Sequence, residues 1–134
     1  MPVLIDTNVA VHLRDGDTTI IDRLATLDMR PCISIVTRVE LEGGIHAKPL
    51  LANKRRDALK AMLDRLVILN FEGTTADAYR AIVAQTGYSR PRILDRMIAA
   101  TALVHGLTLI TINGDDFRDI PGLSLEIWPS PEPQ

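Results

Sequence analysis

Asp6, Glu40, Asp95 and the pair Asp115–Asp116 are the side chains whose meeting would create the strongest chemistry in this sequence. Several carboxylates in one pocket repel each other unless a cation sits among them. Mg²⁺ and Mn²⁺ are hard ions that prefer such oxygens together with water. One or two of these ions make a bound water a better nucleophile and stabilise a departing oxygen, which suits phosphodiester hydrolysis. Taken singly, each acid has a plainer role. Asp6, ahead of Thr7 and Asn8, would cap a helix, and Glu40 between Val39 and Leu41 would be solvated. Asp95 would be favoured by the dipole of its helix's first turns, and one of Asp115 and Asp116 would start a helix before Phe117. What decides between the two readings is whether four separate segments converge.

The apolar pattern supplies elements that would bring them together. Val3–Ile5, Cys32–Ile35, Leu66–Leu69 and Leu107–Thr111 are short, rich in β-branched residues and predicted as buried strands. Leu125–Trp128 reads as a fifth, alternating strand at an edge. Helical spacing links Ile20, Ile21, Leu24 and Leu27, then Leu59, Met62, Leu63 and Leu66, then Ala78, Ala81, Ile82 and Gln85. Pro91 opens a further helix, lined on one side by Leu94, Ile98, Ala102 and His105 and ended by Gly106. Strands alternating with helices imply an α/β fold with a central, mostly parallel five-stranded sheet covered on both faces. Such sheets bind ligands beyond the carboxyl ends of their strands. Asp6 directly follows the first strand, and Glu40 lies about a turn into the helix after the second. Asn113, Asp115 and Asp116 follow the Leu107–Thr111 strand, and Asp95 lies early in the Pro91 helix that leads into it. The acids therefore gather at one edge of the predicted sheet.

Composition limits the fold more than the function. The chain has 134 residues, 46% of them hydrophobic, which suits one domain over residues 1–128 followed by a Pro-rich tail over 129–134. No run of about 18 apolar residues appears, so no membrane span is expected. An acid follows the first five residues with no basic stretch before it, which predicts a cytoplasmic domain without a secretory signal. Cys32 lies alone within an apolar run and reads as a small hydrophobe. Met29, Met62 and Met97 read as core filler. The net charge of −2 is neutral on nucleic-acid binding, which depends on local clusters. Two such clusters exist, Lys54–Arg56 and the set Arg90, Arg92 and Arg96 around Asp95. The second is placed to contact RNA phosphates, and the first reads as a solvated face. With 4% aromatic residues, extensive base stacking is not expected. His12, His46 and His105 lack zinc-ligand spacing.

The ordered motifs resemble a known family. Leu4-Ile5-Asp6-Thr7-Asn8-Val9 is similar to the opening of PIN domains. Val36–Ile45, with Glu40-Leu41 and then Gly43-Gly44, resembles their second block. Leu94–Leu103, an acid ahead of Ile98-Ala99-Ala100, resembles the third, and Thr111–Phe117 the fourth. The resemblance covers nearly the whole chain. It implies a PIN-like three-layer sandwich and a ribonuclease dependent on Mg²⁺ or Mn²⁺. It carries catalysis and metal binding onto Asp6, Glu40 and Asp95, with Asp116 fourth and Thr7, Asn8, Thr111, Asn113 and Asp115 as support. The size points to the VapC branch, toxins that pair with a VapB-like antitoxin and commonly form homodimers. In that branch a segment of the antitoxin wraps the toxin and often inserts an arginine into the acidic pocket. Apolar residues such as Ile20, Leu24 and Leu27 would then meet that segment or, alternatively, lie in the core.

Other readings place acids at sheet ends too. A phosphatase with an aspartyl nucleophile wants a second Asp where Asn8 stands, and a receiver wants a lysine that Leu107–Asp116 lacks. A PIN-like module that binds RNA or protein without cutting is the remaining alternative.

Overall fold

The structure, a computed structural model, describes residues 2–131. Five short strands, β1 (Val3–Ile5), β2 (Cys32–Ser34), β3 (Val67–Leu69), β4 (Thr108–Thr111) and β5 (Leu125–Ile127), form one sheet in the order β3-β2-β1-β4-β5. Every pairing is parallel, with Leu4 opposite both Cys32 and Leu109. The helices are α1 (Thr7–Arg14), α2 (Thr18–Ala25), α3 (Ile35–Ile45), α4 (Ala52–Leu63), α5 (Gly73–Thr86) and α6 (Ile93–His105).

Alternation along the strands divides the core into two. Val3, Ile5, Ile33 and Ile110 pack with residues of α1, α2, α3 and α4, among them Val9, Ile20, Leu24, Leu41 and Leu59. Leu4, Cys32 and Leu109 point to the other face and pack with Val36, Ile82 of α5 and Ile98, Ala99 and Ala102 of α6. A sheet covered on both sides has no polar alternation in its central strands, which explains their continuous apolar runs. The result is a three-layer α/β sandwich. Ile20 and Leu24 belong to its core, and it is Ile21 that stays exposed.

Several boundaries move for local reasons. The Ser34 side chain accepts a hydrogen bond from Val36 N at 3.0 Å and caps α3, so Ile35 is helical rather than the end of a strand. Pro91 lies in a 3-10 turn, Arg90–Arg92, ahead of α6. Leu94 and His105 are exposed, and the buried stripe of α6 is Ile98, Ala99 and Ala102. Gly106 closes that helix with φ 63°, a left-handed conformation that glycine adopts without penalty. Met29 is exposed, so only Met62 and Met97 of the three expected fillers pack against the core. Beyond β5, Trp128 is buried beneath the Arg23 guanidinium. Of the expected tail, Pro129–Pro131 is irregular, and Glu132–Gln134 lie outside the described residues.

The strand order contains one reversal. The chain steps from β1 outward to β2 and β3, then returns to the other side of β1 with β4. Crevices at the carboxyl ends of two strands on either side of such a reversal are where open α/β sheets bind ligands. Here those strands are β1, which ends before Asp6, and β4, which ends at Thr111.

Candidate active site

Asp6 is 3% exposed and anchors this crevice. Its backbone N donates to Ile110 O at 3.1 Å, extending the β1–β4 ladder by one bond. Its Oδ1 accepts from Val9 N at 3.0 Å and caps α1. Its Oδ2 accepts from Thr111 Oγ1 at 2.5 Å. Capping and site membership are thus not alternatives. One oxygen serves the helix, while the other is oriented from across the reversal by a residue 105 positions away.

Glu40 joins through the seam between α1 and α3. Thr7 Oγ1 donates to Glu40 Oε1 at 2.7 Å and lies 3.0 Å from Thr37 Oγ1. Thr37 is fully buried and holds no place among the residues expected from sequence. Its position three residues before Glu40 puts it on the same face of α3, and that spacing was the available signal. Asn8, next to Thr7, is exposed.

Asp95 and Asp116 complete the group. The Asp95 carboxyl is pushed up to about 6, first by burial and then by the negative charges of Asp116, Asp6 and Glu40, with Arg92 pulling the other way. Burial likewise raises Asp6, opposed by its bonds from Thr111 and Val9 and reinforced by Asp116 and Glu40. Four acids from four segments are therefore close enough to feel one another. Such mutual repulsion is the electrostatic mark of a cation site or of a functional carboxylate pair.

The segment after β4 sorts three polar neighbours. Asn113 is exposed, and its backbone N donates to Thr111 Oγ1 at 2.9 Å, turning the chain. Gly114 to Asp116 form a 3-10 turn that neither aspartate side chain caps. A Cβ at Gly114 would meet the end of the Ile127 side chain, so any larger residue here would have to push that side chain aside. Asp115 is exposed and ion-paired with Arg118, whereas Asp116 is half-buried and faces the other carboxylates. Asp116 is the member of the pair that joins the group.

The arginines differ from expectation. Arg90 is exposed. Arg96 is buried at 3% exposure, with Nη1 donating to Gly87 O at 2.6 Å and Nη2 3.9 Å from Asp119 Oδ2. Arg92 Nη1 stands 3.6 Å from the same oxygen. Arg96 is consequently not a surface contact for RNA, because reaching a phosphate would strip a buried cation of its partners. It ties α6 to the end of α5 and, through Asp119, to the segment that carries Asp116.

The donor set fits a hard divalent cation: all four groups are carboxylates, and two of them are raised, first by burial and then by the charge of the others. Among the described residues no three acids, histidines or cysteines are drawn into a single ligand shell.

The PIN domain family matches this chain over residues 3–123, and the chain belongs to that family. It is 30% identical over 129 residues to the tRNA(fMet)-specific endonuclease VapC of Salmonella typhimurium, covering 93% of this chain and 96% of that one. Among solved structures it is similar to VapBC2 of Rickettsia felis bound to a promoter DNA fragment, with TM-score 0.82 and 26% identity over 96% of this chain and 99% of that one. DNA-bound VapBC of Salmonella typhimurium also gives a TM-score of 0.82, at 28% identity, covering 96% and 98%.

Proposed function

We propose that this protein is a VapC-type ribonuclease that hydrolyses RNA phosphodiester bonds, and that Asp6, Glu40, Asp95 and Asp116 hold the Mg²⁺ or Mn²⁺ that the reaction uses. The observation that carries this reading is the convergence of four mutually repelling carboxylates at the β1–β4 reversal. The bound ion would activate a water and stabilise the departing oxygen. The protein's own part is orientation. Thr111 and the Val9 amide fix the two oxygens of Asp6, and Thr7, seated on Thr37, fixes Glu40. Arg92 and Arg96 hold Asp119, keeping the Asp116 segment against the helix that carries Asp95.

The named relative acts on tRNA, which makes tRNA the first substrate to test. The decisive measurement is cleavage of a tRNA pool with Mg²⁺, with Mn²⁺ and with chelator. Turnover only with a divalent ion is expected; RNA binding without turnover in any of the three would leave a non-cleaving module instead.

The toxin role goes with the same reading, supported by the VapBC complexes to which this fold is similar. A VapB-like antitoxin would lay an amphipathic segment into the apolar groove of about 460 Å³ between α1, α2 and α4, lined by Leu13, Ile21, Leu24 and Met62. Homodimerisation and a cytoplasmic location belong to this proposal as well. Among the described residues, no helix is long and apolar enough to cross a membrane.

A further inference from the structure

The seam between α1 and α3 has a second end. Thr7 meets Thr37 at the carboxylate group, and seven residues further along each helix Arg14 meets Gly44. The two helices run side by side in the same direction, so this second meeting lies roughly 10 Å along the seam, at 1.5 Å of rise per residue. A Cβ at Gly44 would stand 3.0 Å from Arg14 Nη1. The guanidinium thus lies close against the Gly44 backbone, where a side chain would push it back by a few tenths of an ångström.

The pocket at this end has a volume of about 300 Å³ and is lined by Arg14, Lys48, Lys54 and Arg55, with Asp15 as its one acid. Arg14 has a 3% exposed side chain and pairs with Asp15 at 3.1 Å. Arg55 Nη1 donates to Gly44 O at 2.7 Å. Among the described residues, Lys48, Lys54 and Arg55 have no carboxylate within ion-pairing distance, so the pocket keeps an excess of positive charge. Two of its cations are fixed by bonds to the protein, and two are free to swing. Carboxylates that attract a cation at one end of the α1–α3 seam, and a basic pocket where α4 meets its other end, offer two points of hold for one polyanion.

We propose that Lys48, Lys54 and Arg55, set over the buried Arg14 that adds charge to the pocket floor without leaving Asp15, form a phosphate-binding site for the RNA strand that the carboxylate group cleaves. It engages the backbone beyond the scissile bond and rests on the ribonuclease reading above. Interactions of this kind position a strand without reading its sequence. Lys54 and Arg55, which by sequence read as a solvated face, then bind substrate.

The test uses the full chain with Lys48→Ala and Lys54→Ala combined, since both side chains are exposed and their removal leaves the core intact. Lys54→Ala alone is compared with the control Arg56→Ala: both residues lie on α4 and each change removes one positive charge, but Arg56 is outside the pocket. A single-stranded RNA of about ten nucleotides, within the usual range of strand-binding sites, is titrated by fluorescence anisotropy in chelator over a range of salt. Its cleavage is followed separately with Mg²⁺ or Mn²⁺. The expected result is a rise in Kd and KM of about tenfold with kcat unchanged. The salt dependence should flatten by roughly 0.7 in log–log slope for each phosphate that the variant no longer neutralises. Equal effects of Arg56→Ala and Lys54→Ala would overturn the proposal. So would an unchanged salt slope with weakened capture of an acidic partner segment, which would assign the pocket to protein. A wild-type chain that binds this RNA with the pocket dependence described, but cuts neither it nor the tRNA pool with either ion, would sink the ribonuclease reading alone. Cleavage by the double variant with wild-type KM would sink the pocket alone.

Discussion

The carboxylate group and the ion-paired shell behind it use the same residue type to opposite ends. Asp6, Glu40, Asp95 and Asp116 face one another, and burial with mutual repulsion raises Asp6 and Asp95. A few residues on, Asp115 is paired with Arg118, and Asp119 lies between Arg92 and Arg96. The first group is held in an unfavourable electrostatic arrangement, and Asp119 with its two arginines attaches the segment that carries Asp116. Asp115 and Asp116 make the contrast sharpest, because neighbours in sequence fall on opposite sides of this division.

Breaking the repelling group should have the largest effect. Asp6→Asn and Asp95→Asn keep the shape but remove a ligand charge, and each should lower RNA cleavage at least about 100-fold, the scale of removing one preorganised electrostatic group. Circular dichroism should show both variants folded; near-normal turnover in either would remove that residue from the site.

Loosening the attachments should cost less. Asp119→Ala frees the two arginines, and the affinity for Mn²⁺ measured by calorimetry should fall about tenfold, as for other residues that orient metal ligands. Asp119→Glu should restore most of it. An unchanged Mn²⁺ affinity in the alanine variant would mean that the clamp does not place Asp116.

The repulsion itself predicts a pH effect in the metal-free protein. Asp95 is raised from 3.8 to about 6, so between these values the folded state binds more protons than the unfolded chain. Stability contributed by this group is complete below about pH 4 and is lost as pH rises through 6. Asp95→Asn removes that loss. It should be more stable than wild type at pH 7 by on the order of 1 kcal/mol, since solvent screens a half-exposed group, with the gap closing towards pH 4. Urea melts across that range would show it; a constant difference at every pH would contradict the raised carboxyl. Saturating Mg²⁺ or Mn²⁺ should narrow the gap at pH 7 by stabilising the wild type.

The smallest effect belongs to the exposed pair. Asp115→Ala should change stability by less than about 0.5 kcal/mol and leave cleavage intact, because exposed ion pairs contribute little. A large fall in activity would place Asp115 in the site after all.

Much of this was legible in the residues. Continuous apolar runs determined strands buried on both faces, because only a sheet covered twice hides every side chain of Val3–Ile5 or Leu109–Thr111. Strand–helix alternation determined parallel pairing, since parallel neighbours need a crossover. Placement of Asp6, Glu40 and Asp95 relative to those elements determined which edge of the sheet the acids would occupy. The tertiary structure alone decided what depends on the meeting of distant segments. The Thr111 hydroxyl turns Asp6 Oδ2 from across the β1–β4 reversal, and Thr37 supports Glu40 through Thr7 on another helix. Arg96 was drawn inward by the Gly87 carbonyl and Asp119, although its sequence neighbours Asp95 and Arg92 suggested a surface. Arg14 and Gly44 meet only because α1 and α3 run in matched register. Local periodicity fixes which face a residue takes on its own element; what that face touches depends on packing between segments that the local pattern does not encode.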